Sequence, residues 1–171
     1  MKKLKLEIEP ILESNWGISL ARLLPKHIWD VIRREVYQKY DYTCFACGET
    51  GVEVHCHERW HYDHKKRTQF LRGLICLCKD CHNIKHWGRT INCVHSGEYA
   101  PDYLVFLTNH FCEVNNCSLE DFEQHKVEVG NRLDSVRKKK YKVDFGIFEP
   151  KKIIPIIEGR LDTIKSRKRK K

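Results

Sequence analysis

Residues 74–86 read LICLCKDCHNIKH, and the order of residue types in them decides how the centre of the chain folds. Leu74, Ile75, Cys76 and Leu77 belong to a short apolar stretch, FLRGLICLC at residues 70–78, suited to a strand. Cys78 and Cys81 follow at the spacing that lets two sulfurs face one ion. His82 and His86 then stand at i and i+4, which sets two imidazoles on one face of a helix where they can share a cation. Sulfur and nitrogen donors are thus anchored close together yet point to different places.

The missing half of the sulfur set lies upstream. CFAC supplies Cys44 and Cys47, and thirty residues separate that pair from Cys78. Two such turns complete the tetrahedral shell that zinc prefers, and a structural zinc supplies roughly 10–16 kcal/mol of apparent folding free energy in small peptides, enough to pin a loop of this length. An odd total of nine cysteines, four of them in Cys-x-x-Cys pairs beside histidines, speaks for metal ligation in a reducing compartment over disulfides. Cys56, Cys76, Cys93, Cys112 and Cys117 are left as small packing residues.

Between the cysteine pairs, residues 52–64 read VEVHCHERWHYDH. Val52, Val54 and Cys56 alternate with Glu53, His55 and His57, the period of a strand. Around this centre the pattern is helical. Residues 25–40 repeat Ile28, Ile32, Val36 and Tyr40 every fourth position, with Pro25 suited to the first turn. A helix over residues 79–88 closes at Gly88. Residues 100–114 and 117–140 predict two more, the second opened by Ser118 and Asp121 at capping-box spacing. Residues 141–150 read as an extended segment covering a sheet edge, and the last eleven residues, poor in apolar side chains, as a disordered tail.

With 171 residues the chain has room for one domain of ordinary size with extensions. Its formal charge of +9 is unevenly spread, because residues 151–171 hold nine Lys/Arg against two acids. That leaves +2 for residues 1–150. There is no apolar run of about 18 residues, and MKKLKLEIEP has no apolar stretch behind its basic start, so the expectation is a soluble cytoplasmic protein without membrane contact.

Taken in order, CFACG, VHCHERW and LICLCKDCHNIKH resemble the HNH endonucleases of the ββα-metal, or His-Me finger, group. The likeness covers residues 44–88, about a quarter of the chain, and residues 23–44 resemble the helix that leads into such modules in bacterial and phage proteins. The resemblance implies an α+β fold: a small zinc-stapled ββα-metal core flanked by several helices, with a basic flexible C-terminal tail. The corresponding divisions are an N-terminal segment and lead-in helix (1–43), the zinc module (44–90), a helical extension (91–150) and the tail (151–171).

The same resemblance implies an endonuclease that nicks or cuts DNA with one divalent ion, Mg2+ or another, beside the structural Zn2+. His57 takes the role of general base, His82 and His86 that of metal ligands, and Glu58, catalytic beside His57, that of a third ligand, with His55 and Glu58 as rivals for the base or ligand role. In the family an Asn before the second strand orients the base; here that position is Gly73, and Asn83 lies in the helix instead. The alternative is therefore a catalytically inactive nucleic-acid-binding or protein-binding regulator. RNA is an alternative substrate. Basic clusters at residues 136–142 and 165–171 suit salt-sensitive binding to a polyanion, with Arg59, Lys138, Lys139 and Lys140 as contacts. His61 and His64 are expected to be exposed, and His27, His95, His110 and His125 to lie on the surface or on helix faces. Trp60 and Trp87 either stack on a base or fill the core.

Overall fold

The computed structural model describes residues 4–12, 15, 17–137 and 139–168. It is an α+β structure with seven helices and one three-stranded sheet among the described residues. Strands β1 (Val54–Asp63) and β2 (Thr68–Cys78) form an antiparallel hairpin, and β3 (Lys142–Asp144) adds to the far edge of β2 in parallel. The expected edge-covering segment is thus a short strand. At the hairpin turn, Asp63 Oδ1 accepts from the Lys65 and Lys66 N–H groups at 3.0 and 2.9 Å, which holds the chain through its reversal.

Alternation along the hairpin sends side chains into two separate cores. Cys56, Leu74 and Cys76 face α1 (Leu20–Leu23), α2 (Lys26–Lys39) and α7 (Pro150–Lys168), with Ile28, Ile32, Val36 and Ile157 at the centre. Ile75 and Leu77 face the other way, against Ile84, Leu107, Phe111 and Phe122. Those residues come from α3 (Lys79–Lys85), α5 (Tyr103–Asn115) and α6 (Leu119–Val136), while α4 (Trp87–His95) adds Trp87. Trp87 meets Phe122 edge-on at 5.1 Å and Trp60 meets Phe145 at 5.4 Å, so both tryptophans fill core. Ser118 and Asp121 make the expected capping box at the start of α6.

Three expectations change. The helix after Cys78 does not run to Gly88: α3 stops at Lys85, His86 takes φ −98° and ψ 41°, and α4 starts at Trp87 with Gly88 inside it. The second strand starts two residues before Phe70, at Thr68, because Thr68 and Gln69 pair with β3 together with Phe70. The C-terminal segment is helical through Lys168 where a flexible tail was expected. Ile157 is 2% exposed against α2, and Arg160 pairs with Glu35. The basic cluster at residues 165–171 lies outside the described side chains.

The N-terminal segment is extended and stitched across the helical layer. Asn115 Oδ1 accepts from the Lys5 and Leu6 N–H groups at 2.8 and 3.1 Å, and its Nδ2 donates to the Leu6 carbonyl at 2.9 Å. His125 Nε2 accepts from Ile8 N–H at 3.0 Å, and Glu9 N–H donates to the Lys85 carbonyl at 2.9 Å. Leu6 and Ile8 are buried in the core, so Glu9, one residue further on, faces the opposite side. That side is the histidine face of β1. No helix of the described residues is long and apolar enough to cross a membrane.

Candidate metal centres and their cavity

The four cysteines converge. Cys44, Cys47, Cys78 and Cys81 bring their sulfurs within 4.8 Å of one another, a group that could hold a metal ion such as zinc. Cys47 and Cys78 are 3.8 Å apart, too far for a disulfide. A tetrahedron with metal–sulfur bonds of about 2.3 Å has an edge of about 3.8 Å, so the spacing fits zinc. The backbone is shaped for the ion. Gly48, at φ +80°, closes the first knuckle with its N–H on the Cys44 carbonyl at 2.9 Å, and Cys78 caps α3 by accepting from Cys81 N–H at 3.4 Å.

Crowding of four thiols splits their acidities. Cys44 is held well below the usual thiol range by hydrogen bonds from Cys78 and Cys81, while Cys81 is driven well above it by Cys44 and Cys78. A bound dication would relieve this by favouring all four thiolates. His110, expected on a helix face, turns inward and brings Nε2 to 3.2 Å from Cys81 Sγ. An N–H donor there would disperse thiolate charge, as groups outside a ligand shell do.

The second centre lies on the other side of α3. His57, His82 and His86 each bring a ring nitrogen within 4.8 Å of the others. Burial first, and then the neighbouring imidazoles, pulls His82 down to about 2 and His86 to about 4, which keeps their lone pairs available at neutral pH. His57 is 2% exposed, and its Nδ1 is buried with no hydrogen-bond partner. An unpaired buried imidazole nitrogen beside two others is what a cation site needs.

Glu9 engages the remaining nitrogen of His57. Its Oε2 lies 2.9 Å from His57 Nε2 and its Oε1 accepts from Lys85 Nζ at 2.6 Å. Burial acts to raise the Glu9 carboxyl, but the His57 and Lys85 hydrogen bonds and charges outweigh it and hold the group at about 2. Glu9 is thus an anion and His57 Nε2 carries the donated hydrogen. The sequence reading did not single out Glu9 or Lys85. The only local signal is the alternation in LEIEP, which separates two acids from two apolar residues without saying what the acids meet.

The other named residues fall into place by strand alternation. His55 shares the His57 face and stacks on His82 at 5.0 Å, outside the three-nitrogen group. Glu58 is on the opposite face: it pairs across the hairpin with Leu74, accepts from Leu20 N–H at 2.7 Å and accepts from Trp60 Nε1 at 3.1 Å. Its carboxyl is raised to about 7 by burial. The expected third ligand is therefore not brought to His82 and His86; His57 is. Arg59 is exposed, with its guanidinium 5.8 Å over the Phe45 ring. Lys139 and Lys140 are exposed beyond α6, and Lys138 lies outside the described residues.

Gly73 has a backbone reason. The register slips between Arg59, opposite Gly73, and Trp60, opposite Leu71, so Arg72 is the extra residue of a bulge. Gly73 sits there at φ +154°, a conformation in which a side chain is strained. Asn83 does not stand in for the family's Asn; it is buried and donates to the Tyr103 hydroxyl at 3.0 Å, tying α3 to α5.

A cavity of about 950 Å³ runs along the outer edge of β1, between that strand and the N-terminal segment. All three histidines of the group line it, with His55, Glu9, Arg22, Arg33, Arg89 and Arg132. His61 and His64 are exposed on its wall, as expected; His64 Nδ1 is 2.7 Å from the Tyr141 hydroxyl. Arg59, Lys139 and Lys140 do not line it. Comparison with protein-family models, with curated proteins and with solved structures returned no match.

Proposed function

We propose that the chain is a metal-dependent phosphodiesterase acting on nucleic acid, an HNH-type endonuclease whose fold is held by a zinc ion on Cys44, Cys47, Cys78 and Cys81. The observation that carries this reading is the convergence of His57, His82 and His86 on one point of an arginine-lined cavity. A hairpin leading directly into a helix, with one candidate ligand from the strand, one from the helix and one from its C-terminal cap, supports it. The donor set fits a divalent ion: three clustered imidazoles, one with an orphaned buried nitrogen, and room for further ligands from solvent or substrate. Such an ion, when bound, would supply positive charge against the scissile phosphate and the leaving 3′ oxygen.

The chain's own groups then divide the work as follows. His57, His82 and His86 would hold the cation, and a nitrogen that coordinates it could not also accept a proton. His55, stacked on His82 but outside the ligand group, takes the proton from the attacking water as the water oxygen bonds to phosphorus and the 3′ oxygen departs. This exchanges the role first expected for His57 with that of its rival, because His57 is the better-placed ligand. Arg89 and Arg22, on the cavity wall, attract the phosphates on either side of the cut. DNA is the substrate we favour from the resemblance, and nothing in the donor set selects against RNA.

Incubation of supercoiled plasmid with the zinc-loaded chain and Mg2+, Mn2+ or Ni2+ tests the reading. Wild type should nick, His82→Ala and His57→Ala should lose both activity and the second metal, and His55→Ala should lose activity while keeping the metal. A chain that nicks with none of the ions is a binding protein and not an enzyme. If His57→Ala keeps the metal and His55→Ala loses it, the two roles revert.

A further inference from the structure

We propose that Glu9 is a positioning residue for the histidine metal centre, so that the N-terminal segment is a working part of that centre although it lies outside the zinc module. This rests on the reading that His57, His82 and His86 hold a cation. An imidazole can ligate through one nitrogen only if the other carries the proton, and a carboxylate at hydrogen-bond distance fixes which is which. Glu9 Oε2 lies 2.9 Å from His57 Nε2, and the orphaned nitrogen is Nδ1, the one left for a ligand bond.

Glu9 is itself held in three ways. Its other oxygen accepts from Lys85 Nζ at 2.6 Å, its N–H donates to the Lys85 carbonyl at 2.9 Å, and Leu6 and Ile8 anchor the preceding chain in the core. Lys85 directly precedes His86 on the chain. The Glu9–Lys85 pair therefore ties the strand-borne ligand to the helix that bears the other two. The sequence separation of 48 between Glu9 and His57 and of 76 between Glu9 and Lys85 makes this a tertiary device, with no trace in any local motif.

The test uses the full chain with zinc in the cysteine site, titrated with Co2+ and followed by the visible bands of cobalt bound to nitrogen and oxygen donors. Wild type should bind one Co2+ beyond its zinc. Glu9→Gln, which keeps the side-chain length, should bind that Co2+ about ten- to a hundredfold more weakly at unchanged zinc content. Equal affinity in the two chains overturns the role of Glu9 and leaves the three-histidine site standing. Failure of wild type to bind a second ion, by contrast, overturns the site and this inference with it. A readout that needs no variant is the long-range nitrogen–proton NMR spectrum of His57. It should report a proton on Nε2 and metal-induced change at Nδ1; a proton on Nδ1 in the cobalt-free, zinc-loaded chain overturns the proposal even if Glu9→Gln does not fold.

Discussion

Removing the ion from the four-cysteine centre should unfold more than the loop it closes. Cys44, Cys78 and Cys81 belong to the same buried cluster as Leu6, Ile75, Leu77, Ile84, Phe111 and Phe122, so the ligands are also core residues. Zinc contributes roughly 10–16 kcal/mol of apparent folding free energy in small domains. The whole net stability of an ordinary domain is about 5–15 kcal/mol. Even the lower figure for zinc would consume most of that margin. For a chain of this length each kcal/mol is worth about 2–4 °C in Tm, so the metal-free chain should melt more than about 20 °C lower or show no cooperative transition. The assay is calorimetry under reducing conditions before and after a strong chelator, with elemental analysis for one zinc per chain. Cys44→Ser should behave like the chelated protein. Cys76→Ser should not, since Cys76 lies in the other core and away from the metal group, and should cost only the roughly 1–3 kcal/mol of a buried hydroxyl. A chelated chain that melts within a few degrees of the original would refute the argument.

Glu58 gives a pH dependence of definite sign. Burial raises its carboxyl to about 7 in the folded chain from its ordinary 4.5, so the folded state binds the proton more tightly than the unfolded one. This favours folding below about pH 4.5 and is lost as pH rises through 7, by up to about 3 kcal/mol. Glu58→Gln cannot ionise, although its single amide oxygen keeps only one of the Leu20 and Trp60 hydrogen bonds; it should remove that loss, and urea unfolding of the variant from pH 5 to 8 should be flatter than wild type. Ile157→Ala should cost about 2–5 kcal/mol by chemical denaturation, because Ile157 is buried where α7 meets α2; a change under 0.5 kcal/mol would mean that α7 does not dock. Asn115→Ala removes three hydrogen bonds to the backbone of Lys5 and Leu6 and should speed amide exchange over residues 5–9 while leaving that of β2 unchanged.

The parts of this molecule that were legible in its sequence are those in which one short stretch does one job. Cys-x-x-Cys fixes two sulfurs on one turn, His-x-x-x-His brings two imidazoles together although the second sits on the cap that ends α3, and Ser118 with Asp121 caps a helix by itself. The strand residue that joins His82 and His86 was harder to read, because a run of His55, Cys56, His57 and Glu58 offers several donors and only the hairpin register decides which face each takes. His57 opposite Ile75 and Glu58 opposite Leu74 are adjacent in sequence and separated by the whole thickness of the sheet. Composition misled at the C-terminus, where charge density suggested disorder: Ile153, Ile154, Ile157 and Leu161 give one side of α7 enough apolar surface to dock, and the charges occupy the rest. Gly88 misled in the same way, since a turn at His86 ended α3 first.

The two candidate metal centres are mechanically one. Helix α3 has seven residues, about 10 Å of length at 1.5 Å per residue, too short to be stable by itself. Its first turn is fixed by Cys78 and Cys81, and His82 and His86 leave from its far side within the next turn. A displacement at the sulfur end therefore cannot be absorbed before it reaches the imidazoles. The histidine end has its own anchor, because Lys85 is held by Glu9 and Asn83 by Tyr103. Loss of zinc should then weaken the second ion even in molecules that stay compact, whereas loss of the second ion leaves the sulfur end untouched, being bound to β2 and the core. A Co2+ titration of the histidine centre in chains partly depleted of zinc separates the cases. Second-site occupancy should track zinc content across the samples, and zinc content should not change in His82→Ala.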